Sequence, residues 1–282
     1  MSHAVTHYKH LLARHYTWLN GGLEPNVERA LGIFTEAGLV PGTDDLAIDL
    51  GRGSSFQSLA LARLGYRVLA IDLSEELPEE LRRSSSEFPI QTIEDDLLHF
   101  ERHLDATPSL IVCMGDSIAH LDGLEAIQLL FHDVYTCLDP KGRFVVSFRD
   151  TGVELEGEER VTPVRSDANT VFTCFLEFHL ESVTVYDRNG DAWEFYHGSY
   201  RKVRLGSTTV HDLFATAGFE IASSRIEGGF VTVVARKSSE PGCTLATLSS
   251  LVTSRLPSSP KATYSATRAS CSREWMKIGG AP

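Results

Sequence analysis

Residues 45–73 read DLAIDLGRGSSFQSLALARLGYRVLAIDL, and this stretch decides the fold. Leu46 to Leu50 is a short apolar run of the kind buried on both faces of a parallel sheet. It is closed at once by Gly51-Arg52-Gly53, where glycines let the backbone turn sharply and approach a ligand that a side chain would exclude. From Phe56 to Leu64 the apolar spacing becomes helical, Gly65 ends the helix, and Tyr66 to Ile71 forms a second strand. Asp72 closes that strand about 20 residues past the first glycine, where a carboxylate can accept both hydroxyls of a ribose.

The glycine spacing selects among nucleotide-type ligands. A dinucleotide fingerprint wants a third glycine where the pyrophosphate meets the helix, and that position here is Phe56, which disfavours NAD and FAD and hence a nicotinamide-dependent oxidoreductase. S-adenosylmethionine carries no phosphates. It needs room beside the turn for its methionine tail and a carboxylate for its ribose, which Gly51, Gly53 and Asp72 supply.

Downstream, strand and helix keep alternating as a doubly wound sheet requires. Strands are predicted at Pro89 to Ile93, Leu110 to Met114 and Arg143 to Phe148, a helix at Leu124 to Leu138, and a turn at Asp139-Pro140-Lys141-Gly142. Residues 151–204 change character: Cys174 to His179, Ser182 to Tyr186 and Trp193 to His197 alternate as antiparallel strands, with a hairpin turn at Arg188-Asn189-Gly190-Asp191. Thr208 to Ala217 is a helix ending at Gly218, and Gly229 to Ala235 a last strand. The fold class expected is therefore α/β: a Rossmann-like, doubly wound, mostly parallel seven-stranded sheet with an antiparallel β insertion after the fifth strand. Residues 1–237 read as one domain, with a helical cap over residues 1–40 and the insertion at about 151–204. Serine, threonine and proline crowd residues 238–282, which read as a disordered tail.

With 282 residues, 42% of them hydrophobic, the chain can bury a full core. Its net charge of -12 and pI near 5.4 argue against a nucleic-acid partner and favour a small neutral or cationic substrate. MSHAVTHYKH at the start lacks the apolar core of a signal peptide or membrane anchor. The five cysteines show no CxxC pairing and read as reduced thiols of a cytoplasmic protein. Among eleven histidines, His99 and His103 share a helical spacing but lack a third ligand at metal-site spacing, so no metal is expected.

Met114-Gly115-Asp116 follows the predicted fourth strand. Gly115 permits close backbone approach there, and Asp116 can accept a hydrogen bond from a substrate nucleophile or a cofactor amine; a simple strand-to-helix turn is the competing reading. Ser117 and His120 follow in the same loop, with His120 a candidate general base or a structural hydrogen-bonding residue.

AIDLGRGSSFQSLALARLGYRVLAIDLS, together with MGDSIAHL at 114–121, SFRD at 147–150 and SYRKVRL at 199–205, resembles the class I S-adenosylmethionine-dependent methyltransferases. Within them it looks like the branch of glycine N-methyltransferase and related small-molecule enzymes, over about residues 5 to 237. The resemblance implies S-adenosylmethionine as cofactor and a small-molecule nitrogen or oxygen as methyl acceptor. It implies that Asp49 orients the cofactor's amino group or the glycine turn, a turn aspartate being the alternative. Asp96, followed by Leu97, falls where family members bind the adenine amine, and Asp95 competes for that role. Gly51, Gly53, Asp72, Met114 and Gly115 complete the implied cofactor set. Arg149 matches an arginine that pairs with a substrate carboxylate, the alternative being a surface pair with Asp150. Tyr8, Tyr16 and Trp18 fall on the N-terminal helix that in this branch folds over the cofactor, with Tyr16 the one set against the reacting groups; a plain amphipathic core stripe is the alternative. Tyr200 and Arg201 are weaker candidates for the far wall. Two residues depart from the pattern: Arg52 stands between the first two glycines, and Ser55 where the third is usual. Serine keeps the turn if no positive φ is needed there, and Arg52 is free to extend to solvent or to pair with an acid. These departures motivate a second reading, a non-catalytic binding or regulatory protein on the same fold.

Overall fold

The computed structural model describes residues 13–73, 88–177 and 181–237. Tyr8, His179 and the 238–282 segment lie outside them. The described chain divides into two units, residues 13–153 with 202–237, and residues 154–201.

The first unit is built on a seven-stranded sheet: β1 (Leu46–Leu50), β2 (Arg67–Asp72), β3 (Ile90–Glu94), β4 (Leu110–Cys113), β5 (Arg143–Arg149), β10 (Phe219–Glu227) and β11 (Phe230–Lys237). Their order is β10-β11-β5-β4-β1-β2-β3. The five strands from β3 across to β5 are parallel, and β11 runs antiparallel to both β5 and β10. Every residue of β1 and β4 is buried, as the apolar runs LAIDL and LIVC require. The order reverses beside β1, so ligands have their crevice at the carboxyl ends of β1 and β4.

Helices α1 (Ala13–Leu19), α2 (Leu23–Glu36), α3 (Phe56–Leu64), α4 (Leu124–Cys137) and α5 (Ser207–Ala217) surround this sheet. One face packs Val27, Phe34, Leu59 and Leu61 against Ala47, Val68 and Val112. The other packs Phe131 and Phe214 on Phe144, with ring centroids 5.1 and 5.5 Å away. Helix α3 ends as its sequence predicts: Gly65 takes φ 104, its N–H bonds Ala62 O, and Tyr66 N–H bonds Leu61 O.

The second unit carries a four-stranded antiparallel sheet of β6 (Val161–Ser166), β7 (Thr170–Leu176), β8 (Glu181–Asn189) and β9 (Ala192–Tyr200), in that order. Asn189 pairs with Ala192, so the hairpin loop is Gly190-Asp191, the last two of the four residues the sequence suggested, with Gly190 at φ 62. Two strands escaped the sequence reading. β6 is exposed along its whole length, and β10 is buried only at Phe219. Both are sheet edges held chiefly by main-chain pairing, so neither carries an alternating pattern.

Candidate functional site

The glycine turn begins where β1 ends. Gly51 takes φ +74, and its N–H donates to Ile71 O at 2.9 Å, binding the turn to β2. A β-carbon at Gly51 would stand 2.6 Å from Ser117 Oγ, so glycine is required here by space as well as by conformation. Gly53 takes φ +47 and donates its N–H to Asp72 Oδ2 at 3.0 Å, which joins the two ends of the sequence fingerprint directly. Leu97 reaches the same turn, its Cδ2 3.8 Å from the place a Gly51 β-carbon would take.

The two departures from the family pattern have clear structural outcomes. Ser55 sits at φ 60, ψ 28, fully buried, so the turn does demand a left-handed conformation and serine adopts it under strain. The strain is about 1 kcal/mol. Ser55→Gly is accordingly expected to raise stability by about 0.5–1 kcal/mol, or roughly 1–4 °C in thermal midpoint for a domain of this size, with cofactor affinity retained; differential scanning calorimetry checks it. Arg52 does not extend to solvent. It is 3% exposed and folds back along the turn, with Nη1 3.4 Å from Gly53 O and 3.5 Å from Ser55 Oγ.

Asp49 lies beneath the turn at 1% exposure and accepts a 2.6 Å hydrogen bond from Ser58 Oγ on α3. Desolvation is the largest influence on its carboxyl and, against that hydrogen bond and nearby Arg52, pushes its pKa up to about 6. Between the free value of 3.8 and that value the folded state holds a proton the unfolded state has released, so stability from this group falls as pH rises through that window. Asp49→Asn, which keeps an acceptor for Ser58, is expected to be more stable than the wild type by on the order of 1–2 kcal/mol at pH 7, with the gap closing below about pH 4. Urea denaturation across pH reads it.

The competition between Asp95 and Asp96 resolves into two local structures. Asp96 caps the 3₁₀ turn Leu97–His103, its Oδ1 accepting from Leu98 N–H at 3.0 Å. Asp95 is engaged by His103 Nε2 at 2.7 Å and His99 Nδ1 at 3.4 Å, and the His103 contact foremost draws its pKa down to about 2. The helical spacing of the two histidines thus serves one carboxylate.

At the end of β4 the chain turns again through Met114, Gly115 (φ +74) and Asp116 (φ 76). Gly115 N–H donates to Ser147 Oγ at 2.8 Å and Asp116 N–H to Ser147 O at 3.1 Å. Ser117 Oγ donates to Met114 O at 2.9 Å and lies 3.2 Å from Gly51 O, so it stitches the β4 loop to the glycine turn. Asp116 is buried. Its Oδ1 accepts from Arg149 N–H at 3.1 Å and its Oδ2 from Lys202 Nζ at 2.8 Å. His120 ends the short 3₁₀ turn after it, within electrostatic reach of Asp116.

Arg149 ends β5 with its guanidinium 5.2 Å from the centre of the Phe230 ring. Asp150, the alternative partner, is engaged by Ser207 N–H at 3.1 Å and Ser207 Oγ at 2.6 Å. Tyr16 projects from α1, stacks on Phe56 at 6.3 Å, and brings its hydroxyl within 3.5 Å of a β-carbon position at Gly115. Burial raises its phenol pKa, and Arg149, Lys202, Asp116 and Asp72 all act on it electrostatically. One phenol therefore lies within reach of the ends of β2, β4 and β5. Thr17 Oγ1, next along α1, is 3.2 Å from Ser54 Oγ. Trp18 is half-buried, its ring edge-on to His15 at 6.3 Å. Tyr200 and Arg201 belong to the second unit, where Tyr200 pairs with Glu181.

The structure thus brings Gly51, Gly53, Asp72, Leu97, Met114, Gly115, Asp116, Arg149 and Tyr16 near one another at the carboxyl ends of β1, β2, β4 and β5, with Asp49 buried in β1 against Ser58. Three participants escaped the sequence reading: Ser58, Ser147 and Lys202. Ser147 carried a signal, being the one polar residue in the buried run FVVSF. Lys202 stood beside Tyr200 and Arg201 with nothing to single it out.

Residues 47–142 match the family model of a methyltransferase domain. No curated protein matches the chain. Among solved structures, the CcbJ methyltransferase from Streptomyces caelestis superposes with a TM-score of 0.61 at 18% identity, over 76% of this chain and 96% of that one. An S-adenosylmethionine-dependent methyltransferase from Clostridium acetobutylicum gives 0.61 at 15% identity, over 83% and 97%. The 1,6-didemethyltoxoflavin-N1-methyltransferase of Burkholderia thailandensis gives 0.51 at 17% identity, over 83% and 88%. At these identities the likeness is one of fold.

Proposed function

We propose that this chain is a class I methyltransferase and that it transfers a methyl group from S-adenosylmethionine to a nitrogen or oxygen of a small molecule, a reading that the methyltransferase-domain match over residues 47–142 supports. The observation that carries this reading is the joining of the two glycine loops. Ser117 ties Gly51 to Met114, Gly53 is anchored on Asp72, and a β-carbon at Gly51 would close the space between the loops. That donor set and that cradle fit an adenosyl ligand with a carboxylate for its ribose and no demand for a phosphate site. Phe56, packed under Tyr16 where a dinucleotide would need glycine, argues in the same direction.

S-adenosylmethionine, when bound, supplies a methyl already activated as a sulfonium. The chain's own residues then have to align, desolvate and manage one proton. Asp72 grips the ribose hydroxyls, while Asp96 or Asp95 takes the adenine amine beside Leu97. Asp49, from beneath, holds the turn through Ser58 and offers charge to the cofactor's amino group. Asp116 accepts a hydrogen bond from the attacking nitrogen or oxygen, and His120 receives the proton that an attacking hydroxyl must lose. Arg149 positions an acceptor carboxylate. Tyr16 and α1 keep water from the reacting atoms, so that alignment, worth on the order of 7–11 kcal/mol in favourable systems, is not lost to solvent. The three described cysteines, Cys113, Cys137 and Cys174, are free thiols, and no helix among the described residues is long and apolar enough to cross a membrane. A cytoplasmic setting with a metabolite as acceptor accords with both.

Calorimetric titration with S-adenosylmethionine and S-adenosylhomocysteine tests the cofactor, and a pooled-metabolite assay with labelled methyl tests transfer. Absence of any binding at millimolar ligand removes the proposal. The folding of Arg52 back along the turn favours one rival, a non-catalytic binder on the same scaffold; labelled product from any acceptor removes that rival.

A further inference from the structure

We propose that Lys202 sets the charge of the acceptor end of this site: by holding Asp116 as an ion pair, it makes the site one that receives an uncharged amine or hydroxyl and refuses an ammonium. The proposal rests on the reading above, in which the methyl is delivered beside the β4 loop.

The geometry is specific. Lys202 Nζ stands 2.8 Å from Asp116 Oδ2, and the two side chains are only 14% and 7% exposed. The other carboxylate oxygen is occupied by Arg149 N–H at 3.1 Å. Asp116 itself is held at φ 76, a conformation that a residue with a β-carbon rarely adopts, so the aim of its carboxylate is imposed by its surroundings. The Lys202 backbone is fixed just as closely. Val203 N–H donates to Ala119 O at 2.8 Å, Leu205 N–H to Thr151 Oγ1 at 3.0 Å, and Thr151 N–H to Leu205 O at 2.7 Å. The lysine is thereby laced to the same loop as its partner.

The charge count follows. Asp116 has Lys202, Arg149 and His120 acting on it, and Tyr16 within its reach. Burial pushes the Asp116 carboxyl up, but Lys202 and Arg149 together outweigh it and hold the group below the ordinary range. Two cations thus surround one ionised carboxylate in a protein whose net charge is -12. An arriving ammonium would find the charge of the carboxylate already balanced and two positive groups beside it. A neutral lone pair, which is also what in-line attack on a sulfonium requires, meets no such barrier. Without Lys202 the same buried carboxylate would lose its ion-pair partner and keep only Arg149 and His120 acting on it, and would draw in a cation more readily.

Sinefungin tests this without knowledge of the acceptor, because it carries an ammonium where S-adenosylmethionine carries its methyl-bearing sulfonium. The full chain is titrated by calorimetry with sinefungin and with S-adenosylhomocysteine, and the ratio of the two dissociation constants is compared across variants. Lys202→Met is expected to shift that ratio toward sinefungin by about tenfold or more, with S-adenosylhomocysteine little affected. Lys202→Arg is expected to keep the wild-type ratio, and Asp116→Asn to shift it the opposite way. The double variant Asp116→Asn, Lys202→Met should return it to within about threefold of wild type. A folded Lys202→Met protein with an unchanged ratio, or with both ligands weakened equally, overturns the proposal. If Lys202→Met fails to fold, the sign of the Asp116→Asn shift decides. A wild type that binds neither ligand overturns the methyltransferase reading itself, and this proposal with it.

Discussion

Gly51→Ala is expected to lower stability by about 3 kcal/mol and to remove measurable binding of S-adenosylhomocysteine. Two independent costs meet at this residue. Its φ of +74 charges any β-carbon on the order of 1–2 kcal/mol. The added atom would also lie 2.6 Å from Ser117 Oγ and 2.8 Å from Ser117 Cβ, a contact that neither partner can relieve by a rotamer change alone. Overpacking of this kind costs typically about 1–3 kcal/mol. A thermal midpoint lower by roughly 6–12 °C follows for a domain of this length. Ser117→Gly in the same chain removes the clash but leaves the dihedral strain, and it gives up the hydroxyl's contacts with Met114 O and Gly51 O. The double variant should therefore recover part of the midpoint and little of the binding. A Gly51→Ala midpoint within about 2 °C of wild type would show that the two loops are not packed against each other as described.

That contact also marks the limit of what the sequence could disclose. The sheet was legible because its central strands are buried on both faces and its turns are marked by glycine: LAIDL, LIVC and RVLAID leave little choice of conformation. That Gly53 and Asp72 come to the same sheet edge was legible too, since a strand, a helix and a strand of these lengths bring both ends there, while the hydrogen bond that joins them was not foreseen. Ser55 was not. Whether a turn residue takes positive φ depends on how helix α3 packs, and serine carries no mark of it. Lys202 was out of reach for a related reason: its partner is 86 residues away, and the connection is made by the return of the chain after β9, which no local pattern encodes. Asp95 and Asp96 fall between these cases. That one of them would cap the following turn was readable, while the two histidines that occupy the other stand within that turn, at a spacing that did not show which carboxylate they serve.

Asp72→Ala is the second large effect, an expected loss of at least about 100-fold in affinity for S-adenosylhomocysteine. The carboxylate has two jobs that a single substitution removes together. Its Oδ2 accepts Gly53 N–H at 3.0 Å and so holds the open form of the turn, and the group as a whole is the one placed to accept ribose hydroxyls. Hydrogen bonds to an ionised acceptor contribute about 1.5–3 kcal/mol each, so loss of the ribose grip alone accounts for the factor. Asp72→Asn separates the jobs, because its carbonyl still accepts from Gly53 while charge is gone; about a tenfold loss is expected. A second ligand separates them further. 5′-Methylthioadenosine has the ribose and lacks the amino-acid tail, so a residue that acts on the ribose must weaken both ligands by the same factor. Calorimetry with the two ligands on the two variants gives four numbers. Should Asp72→Ala weaken S-adenosylhomocysteine while leaving 5′-methylthioadenosine untouched, the carboxylate would be acting on the turn and the tail, and the assignment of Asp72 to the sugar would fall.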